Sequence, residues 1–539
     1  MGQFLLEPES QTVFLVRKGS AQTEEPDLAL HRPSKTGALE PGIPYISLAD
    51  FPPQKQALRA IPGTLARRHR VLPLKLWDST LLLAMVDPLD VLAIDEVRLA
   101  SRCEVRPVQA AEEEILAEIR QHYGALEKAA SEAQRLSQEP VLDYPDGSSA
   151  AVLERPAVVS IADSLLEQAV EARASDIHIE PEGEGGRVRF RVDGVLHAVI
   201  DLPTDLFGPL VSRLKVLAGL DIAERRVPQD GRLALVCSGH EIDIRVSSLP
   251  TIRGEKLVLR LLDKTARISS LEELGFSPRA LEHFRRLLAR PAGMVLLTGP
   301  TGCGKTTTLY AALSALNSPD QNIVTIEDPV EYQIPGVNQV QVNPKAGIDF
   351  ATGLRAILRQ DPNIIMVGEI RDPETADTAI RAALTGRLVF STLHTGDAPG
   401  AVTRLLEMGV APYLLCSALT AVVAQRLVRC ICPHCRESYQ PTEEEWKFLQ
   451  PGPDTPPQPL PRGRGCPQCR YTGYLGRVAI LEIMEMTPAL KNLVLNRRST
   501  AEVRVLALRQ GMYPLGEDGK AKVLAGQTTT REVWRVALG

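Results

Sequence analysis

One eight-residue stretch constrains this chain more than any other feature. Residues 299–306 read Gly-Pro-Thr-Gly-Cys-Gly-Lys-Thr, which satisfies the G-x-x-x-x-G-K-[ST] pattern of a phosphate-binding loop. The apolar run Met294–Leu297 predicts a strand before it, and Thr307–Leu316 predicts a helix after it, which is the order that the motif requires. Backbone N–H groups of such a loop face phosphate, and the helix N-terminus adds a positive dipole end. The sequence therefore predicts a nucleoside triphosphate site.

Individual side chains of this loop have separate expected roles. Lys305 can neutralise the charge of the terminal phosphates, and the Thr306 hydroxyl can ligate Mg²⁺. Cys303 lies at the helix N-terminus, where the dipole is expected to lower the pKa of its thiol. The residues expected to contact ATP in this loop are Gly299, Pro300, Thr301, Gly302, Cys303, Gly304, Lys305, Thr306 and Thr307.

Composition narrows the class of protein. The chain has 539 residues, enough for about three or four domains. Its formal net charge of −5 gives no general attraction to nucleic acid or anionic lipid. No apolar run approaches the roughly 18 residues of a membrane-spanning helix and no basic leader is present, so a cytoplasmic protein is expected. The nine cysteines are expected to be thiols or metal ligands in a reducing compartment.

The chain divides into segments of different composition. Residues 1–42 are rich in Pro, Glu, Gln and Ser, which predicts a flexible arm. An amphipathic helix at Val159–Arg173 precedes alternating strands, and Arg187–Val192 and Val195–Ile200 flank a two-residue Asp-Gly turn. The expected division is 1–42, flexible arm; 43–123, N-terminal docking domain; 124–156, linker; 157–262, α+β domain; 263–276, hinge linker; 277–402, nucleotide-binding core; and 403–539, helical region with a metal-binding insertion at about 430–475.

The core at 277–402 alternates strands with helices, which predicts a parallel, doubly wound α/β sheet. Polar residues follow four of its predicted strands, namely Lys305, Glu327 with Asp328, Glu369 and His394. Ligands of such sheets lie beyond the carboxyl ends of the strands, so these residues are expected to share one rim.

Each of these residues has an expected role and an alternative. Glu369 is expected to hold Mg²⁺ or act on water, and Glu327 is its rival for activating the water. Asp328 and Glu331 are expected to serve the nucleotide site, although such a cluster also occurs in turns and helix caps. His394 is expected to sense the γ-phosphate, and the alternative is a structural histidine.

Two C-x-x-C knuckles mark the C-terminal region, and 30 residues separate them. Two such turns supply the four thiolates of a tetrahedral zinc site. A redox role is disfavoured because two knuckles occur without a thioredoxin-like context. Cys430 is an extra thiol that could compete as a ligand, and His434 lies inside the first knuckle. The expected ligands are Cys432, Cys435, Cys466 and Cys469.

These segments together resemble the secretion-type ATPase superfamily, specifically the motors of type II secretion and type IV pilus assembly. The resemblance covers about residues 155–539, and more loosely extends back to 43. The matching segments are 299–310 for Walker A, 325–331 for the aspartate box, 358–372 for Walker B, 385–395 for the histidine box, and 174–181, 189–194 and 223–232 for the domain before the core.

The resemblance implies a RecA-like core that hydrolyses ATP with Mg²⁺, in a ring that commonly has six subunits. Arg213 and Arg226 of the preceding domain would then close onto a nucleotide site. The implied partners are the inner-membrane platform and cytoplasmic docking proteins of a pilus or secretion machine, with peripheral association at the inner membrane. A cyclic di-GMP site is not expected, because the longer tandem module that binds it in some relatives is not recognisable.

Two other classes of function are alternatives. A DNA-uptake or nucleic-acid motor of the same superfamily is the main alternative, but the chain has no basic, aromatic-interleaved stripe, so no direct nucleic-acid partner is expected. A nucleotide-sensing scaffold with weak turnover is disfavoured because Glu327, Glu369 and His394 are all present.

Overall fold

A computed structural model describes most of the chain. It covers strands at 14–16 and 28–30, then 44–119 without 59, 62, 78–79 and 102, and then 156–183, 185–237, 239–264, 270–449, 456–470 and 472–538. These residues form two compact units, Met1–Asp263 with Arg464–Tyr471, and Lys264–Gly463 with Thr472–Gly539. Most of the predicted arm, nearly all of the predicted linker 124–156, and 265–269 of the predicted hinge lie outside the described residues.

The N-terminal part of the first unit contains two small sheets. Strands β1 and β2 pair antiparallel, while β4 pairs antiparallel with β3 and parallel with β5. The continuous apolar run of β4 is buried, as expected for a central strand. Residues 112–119 are also helical. The other bounds are β1 Phe14–Val16, β2 Leu28–Leu30, α1 Lys55–Leu58, α2 Gly63–His69, β3 Val71–Trp77, β4 Thr80–Met85, α3 Val91–Ser101 and β5 Glu104–Gln109.

The rest of the first unit is an antiparallel six-stranded sheet in the order β8-β7-β6-β11-β10-β9. Two helices, α4 and α5, share its apolar core. The predicted turn is present, because Asp193 and Gly194 both have positive φ angles, 48° and 82°. The bounds are α4 Pro156–Glu171, β6 Ala174–Glu182, β7 Gly185–Val192, β8 Val195–Pro203, α5 Thr204–Leu217, β9 Gln229–Cys237, β10 His240–Thr251 and β11 Gly254–Asp263.

The second unit is built on a seven-stranded sheet in the order β14-β13-β15-β16-β12-β17-β20. All neighbouring strands are parallel except β17 and β20, so the predicted doubly wound sheet is confirmed. Its strands are β12 Gly293–Thr298, β13 Ile323–Glu327, β14 Asn338–Gln341, β15 Ile364–Val367, β16 Leu388–Leu393, β17 Leu419–Ile431 and β20 Tyr474–Glu485, with a separate pair β18 Arg436–Tyr439 and β19 Leu460–Gly463.

Helices cover both faces of this sheet. Alternate residues of β12 point to opposite faces, since Met294 and Leu296 belong to one apolar core and Val295 and Leu297 to the other. Side chains from the two faces of the sheet therefore fill two separate apolar cores. The helices are α6 Pro278–Leu288, α7 Lys305–Leu316, α8 Phe350–Ile357, α9 Pro373–Leu384, α10 Ala398–Glu407, α11 Pro412–Ala418, α12 Glu443–Leu449, α13 Pro488–Leu495, α14 Thr500–Arg509, α15 Leu515–Leu524 and α16 Thr530–Val533.

The predicted helical region 403–539 contains long strands besides its helices. Strands β17 and β20 pair antiparallel and extend the main sheet, where the sequence predicted a helical region. Their apolar residues run almost continuously, and this pattern does not distinguish a buried strand from a buried helix.

A buried carboxylate attaches the C-terminal helix to β17. The side chain of Glu532 is 1 % exposed and accepts hydrogen bonds from Arg429 Nη2 at 2.7 Å and Arg535 Nη2 at 2.7 Å. Burial alone would raise the pKa of Glu532, but the bonds from the two arginines outweigh it and lower the pKa to about 2. The Arg429 guanidinium also stacks 4.1 Å from the ring centre of Tyr474.

We predict that Glu532→Gln lowers the free energy of unfolding at neutral pH by roughly 3 kcal/mol, because it leaves the largely buried guanidinium group of Arg429 without its carboxylate. The folded-state pKa lies below the ordinary value of 4.5, so this stabilisation is present above that pH and is lost as the pH falls toward about 2. Urea denaturation followed by tryptophan fluorescence at neutral and acidic pH measures both effects. The matched control Glu443→Gln alters an exposed pair with Lys447 and should leave the midpoint unchanged. A difference that persists undiminished in acid would contradict the prediction.

Candidate active site

The phosphate loop connects β12 directly to α7, which begins at Lys305, two residues before the predicted helix start. Gly299 and Gly304 have φ angles of 153° and 85°, a region that favours glycine. A Cβ at Gly299 would lie 2.5 Å from the carbonyl oxygen of Gln425, so the loop leaves no room for a side chain there. The solvent-exposed positions of the loop are Pro300, Thr301, Gly302, Thr306 and Thr307.

Lys305 is buried at the base of the loop, where it is 8 % exposed. Its ammonium group donates to the carbonyl oxygens of Gly299 at 2.8 Å and Pro300 at 3.1 Å. Burial lowers the pKa of Lys305, while the charge of Glu369 acts in the opposite direction. The lysine is thus held by the loop itself and lies within electrostatic reach of the Glu369 carboxylate.

The expectation that the pKa of the Cys303 thiol is lowered was wrong. The residue is buried, with 4 % exposure. Burial raises the pKa of the thiol, and this outweighs the opposing charges of Lys305 and Arg426. Burial thus sets the ionisation of the Cys303 thiol, against the effect expected from the helix dipole.

Two residues of β17 brace the loop, and neither was predicted from the sequence. The buried amide of Gln425 donates to the Cys303 carbonyl at 2.8 Å and accepts from the Thr308 hydroxyl at 2.8 Å. Arg426 donates to the Gly396 carbonyl at 2.6 Å, which connects β17 to the segment after His394. The sequence feature that could have indicated them is the polar pair Gln-Arg inside the otherwise apolar run of β17.

Glu327 ends β13, but it is buried rather than open at the rim, with 3 % exposure. Its Oε2 accepts from the Tyr310 hydroxyl, and its Oε1 accepts from the Thr325 hydroxyl at 2.6 Å and from Gln339 Nε2 at 3.1 Å. A carboxylate offers about four acceptor positions. Three donors among the described residues therefore leave one position for a further donor.

Glu369 follows β15 and lies between two cationic or potentially cationic groups. Its Oε1 pairs with Arg371, and its Oε2 is 3.3 Å from Nε2 of His394. The Glu369 side chain is 16 % exposed and that of His394 is 50 % exposed, so both can be reached from solvent. The structure thus brings together the ends of β15 and β16, as the sequence predicted.

The two remaining acidic residues of the cluster lie nearby. Asp328 Oδ2 is 3.9 Å from Nη1 of Arg371, which joins it to the Glu369 group. The backbone N–H of Glu331 donates to the Tyr310 hydroxyl at 3.3 Å, so this turn contacts the partner of Glu327.

Arg213 and Arg226 belong to the first unit. Arg213 is partly buried on α5, whereas the Arg226 side chain is 87 % exposed on the loop before β9. Hydrogen bonds from Arg226 lower the pKa of Glu224 to about 2. Lys215 Nζ and Gln229 Nε2 each donate to the Glu224 carbonyl at 2.8 Å, so the loop that presents Arg226 has a defined backbone.

The four predicted zinc ligands come together. Sulfur atoms of Cys432, Cys435, Cys466 and Cys469 all lie within 4.8 Å of one another, and among the described residues this group includes neither Cys430 nor His434. The Sγ atoms of Cys466 and Cys469 are 3.7 Å apart. Two sulfurs at about 2.3 Å from a tetrahedral zinc ion would be about 3.8 Å apart, so the donor set fits zinc.

Known sequences are similar to this chain along most of its length. The sequence profile of the type II/IV secretion system protein family matches residues 152–535, and that of the MshEN domain matches 42–129. The type IV pilus assembly ATPase PilB of Myxococcus xanthus is 42% identical over 523 residues, covering 93% of this chain and 92% of the relative. The type II secretion system ATPase E of Vibrio cholerae is 42% identical over 499 residues, covering 90% and 98%.

Solved structures show the same fold. The ATPase DotB of Legionella pneumophila matches with a TM-score of 0.50 at 23% identity, covering 69% of this chain and 94% of its own. DotB of Yersinia pseudotuberculosis matches with a TM-score of 0.51 at 21% identity, covering 70% and 92%. Among the residues that the structure describes, no helix combines the length and apolar character that a membrane crossing needs.

We predict one Zn²⁺ per chain, measured by inductively coupled plasma mass spectrometry on the purified protein. The double variant Cys432→Ser/Cys466→Ser should lose the metal because it removes one thiolate from each knuckle. Loss of zinc should also increase proteolysis between 430 and 475, since structural zinc contributes folding energy. Cys416→Ser changes a cysteine outside the sulfur cluster and should keep the metal. Zinc retained by the double variant would rule out the four-sulfur site.

Proposed function

This chain belongs to the type II/IV secretion system protein family, and from that membership we propose that it is a motor ATPase that powers type IV pilus assembly or type II protein secretion. The observation that carries the proposal is the shared rim, where a phosphate loop, a buried carboxylate and a solvent-accessible acid–histidine pair follow four strands of one sheet. Relatives named for both machines are similar to the chain along most of its length. The two machines would use the same chemistry, the hydrolysis of ATP.

The loop and its lysine would bind the triphosphate. Backbone N–H groups of Gly302 and Gly304 would face phosphate oxygens, and Lys305 would leave its two carbonyl acceptors to pair with them. The exposed Thr306 hydroxyl and the Glu369 carboxylate are oxygen donors of the kind that Mg²⁺ prefers. When bound, Mg²⁺ would neutralise charge that develops on the phosphates.

Two further side chains would act on water and on the γ-phosphate. We assign Glu327 to orienting and deprotonating the attacking water, because its carboxylate is fixed by three donors and keeps one acceptor position. His394 would donate a hydrogen bond to the γ-phosphate, since half of its side chain is exposed and its Nε2 already faces an anionic oxygen of Glu369. Asp328 and Glu331 would shape this acidic turn.

We predict that Lys305→Ala weakens ATP binding, whereas Glu369→Gln and Glu327→Gln bind ATP and lower kcat by about a hundred-fold or more. Lys305 addresses phosphate charge directly, and the two carboxylates act on metal and water. Phosphate release and titration with a fluorescent ATP analogue separate turnover from binding. Lys345→Ala, an exposed lysine of the same unit, is the charge-matched control. Full turnover in either glutamine variant would remove that carboxylate from the mechanism.

We also propose that the protein works as a homo-oligomeric ring, commonly of six subunits in this family, in which Arg213 and Arg226 act on the nucleotide of a neighbouring subunit. A loose phosphoryl-transfer transition state spreads negative charge over the γ-phosphoryl oxygens, which an arginine from outside can stabilise. The ordered loop and the 87 % exposed side chain of Arg226 suit it to such a role. Its bond to Glu224 would be exchanged for phosphate.

The ring can be tested by subunit mixing. Neither Arg213→Ala/Arg226→Ala nor Lys305→Ala protein should hydrolyse ATP efficiently alone, but a mixture should recover turnover, because some interfaces then combine an intact lysine with intact arginines. Arg253→Ala, an exposed arginine of the same unit, should retain its activity by itself. A specific activity that is independent of protein concentration, from a stable monomer, would contradict the ring.

We propose that the chain acts in the cytoplasm and meets the inner membrane through a platform protein, with 43–123 as the docking domain for cytoplasmic partners. Membership in a family of pilus and secretion ATPases supports this assignment. No direct nucleic-acid partner is proposed, because the net charge is −5.

A further inference from the structure

Three elements of the second unit supply the donors that hold Glu327. Tyr310 comes from α7, the helix that begins at the phosphate-binding lysine, Thr325 comes from β13 itself, and Gln339 comes from the edge strand β14. Of these, Tyr310 alone donates to Oε2, while the other two share Oε1. The carboxylate oxygen with an acceptor position to spare is therefore the one whose orientation Tyr310 determines.

The Tyr310 hydroxyl is itself fixed in direction. Its side chain is 0 % exposed, and its ring packs edge-to-face on Tyr332 with ring centres 4.7 Å apart. The hydroxyl oxygen accepts from the backbone N–H of Glu331 at 3.3 Å, so the hydroxyl proton is directed to the carboxylate. Burial, followed by the charge of Glu327, raises the pKa of Tyr310, which keeps the hydroxyl protonated and donating.

We propose that Tyr310 is a positioning residue for ATP hydrolysis, whose hydroxyl aims the free acceptor position of Glu327 at the attacking water. This inference rests on the proposed role of Glu327 in activating water. The tyrosine lies on the helix that starts at Lys305, so one rigid element holds both the phosphate-binding lysine and the group that orients the water-activating carboxylate. Pre-set orientation of this kind lowers the barrier without any contact between the tyrosine and the nucleotide.

A purely structural role would predict a different result. A buried tyrosine that only fills space would tolerate loss of its hydroxyl with little effect on the chemical step, and its loss would appear mainly as lower stability. A positioning hydroxyl should instead affect kcat and leave the KM for ATP unchanged, because the phosphate contacts of the loop do not involve it. A structural role and a positioning role of Tyr310 therefore predict different changes in kcat and KM.

The test uses the full chain and removes one oxygen atom. Tyr310→Phe should lower kcat by about ten-fold to a hundred-fold, the usual effect of losing a hydrogen bond to a charged group, with an unchanged KM. The matched control is Tyr332→Phe, which removes the hydroxyl of the adjacent ring, since that hydroxyl makes none of the hydrogen bonds to Glu327 among the described residues. This control should keep its kcat.

A double-mutant cycle decides whether Tyr310 acts through Glu327. The variant Tyr310→Phe/Glu327→Gln should be no slower than Glu327→Gln alone, because the tyrosine then has no catalytic carboxylate to orient. Unchanged kcat in Tyr310→Phe, or the same fold-loss in both backgrounds, would overturn the inference. Full turnover of Glu327→Gln by itself would instead refute the proposed function of Glu327. The cycle measures this single variant on its own, so the two failures can be told apart.

Folding is checked independently of activity. Urea denaturation should show that Tyr310→Phe is folded under assay conditions. A second variant, Thr325→Val, removes a donor to the other carboxylate oxygen with nearly the same shape. It should also lower kcat without changing the KM for ATP. A rise in KM with unchanged kcat in both variants would show that the network serves nucleotide binding, and would overturn the proposal.

Discussion

The parallel hydrogen-bond register of the second unit is the constraint on which the site depends. Strands β13, β15, β16 and β12 lie side by side in that order and run in one direction. Their carboxyl ends therefore reach a common edge of the sheet. Both faces of this sheet are packed against apolar cores, so a ligand has access to it mainly beyond the strand ends. The phosphate loop, Glu327, Glu369 and His394 all lie at such ends.

The site also has to stabilise two buried charged side chains. Lys305 and Glu327 are both largely removed from water, and an unpaired charge in such a place would be costly. Each is therefore satisfied by groups that belong to the site itself, carbonyl oxygens of the loop for the lysine and three donors for the carboxylate. The same bonds fix the direction of each side chain. The contacts that satisfy these two buried charges are therefore also the contacts that orient them.

Local patterns made much of this site predictable. The phosphate loop and the C-x-x-C knuckles are short segments whose chemistry depends on residue type and spacing alone, and the structure places both as expected. The alternation of strands and helices predicted the parallel sheet, and with it the shared rim. Patterns of this kind do not report which way a side chain turns. Cys303 shows the consequence, since desolvation raises a thiol pKa that its sequence position suggested would be lowered.

The amino-acid sequence by itself predicted a nucleotide site, the grouping of four cysteines and the family, because each depends on residues close together along the chain or in a recognisable order. Only the tertiary structure decided that β17 and β20 extend the sheet and that Gln425 braces the phosphate loop. It alone showed Glu327 enclosed by Tyr310, Thr325 and Gln339. The reason is physical: hydrogen bonds and burial between distant segments depend on how strands align in three dimensions, and no local periodicity encodes that alignment.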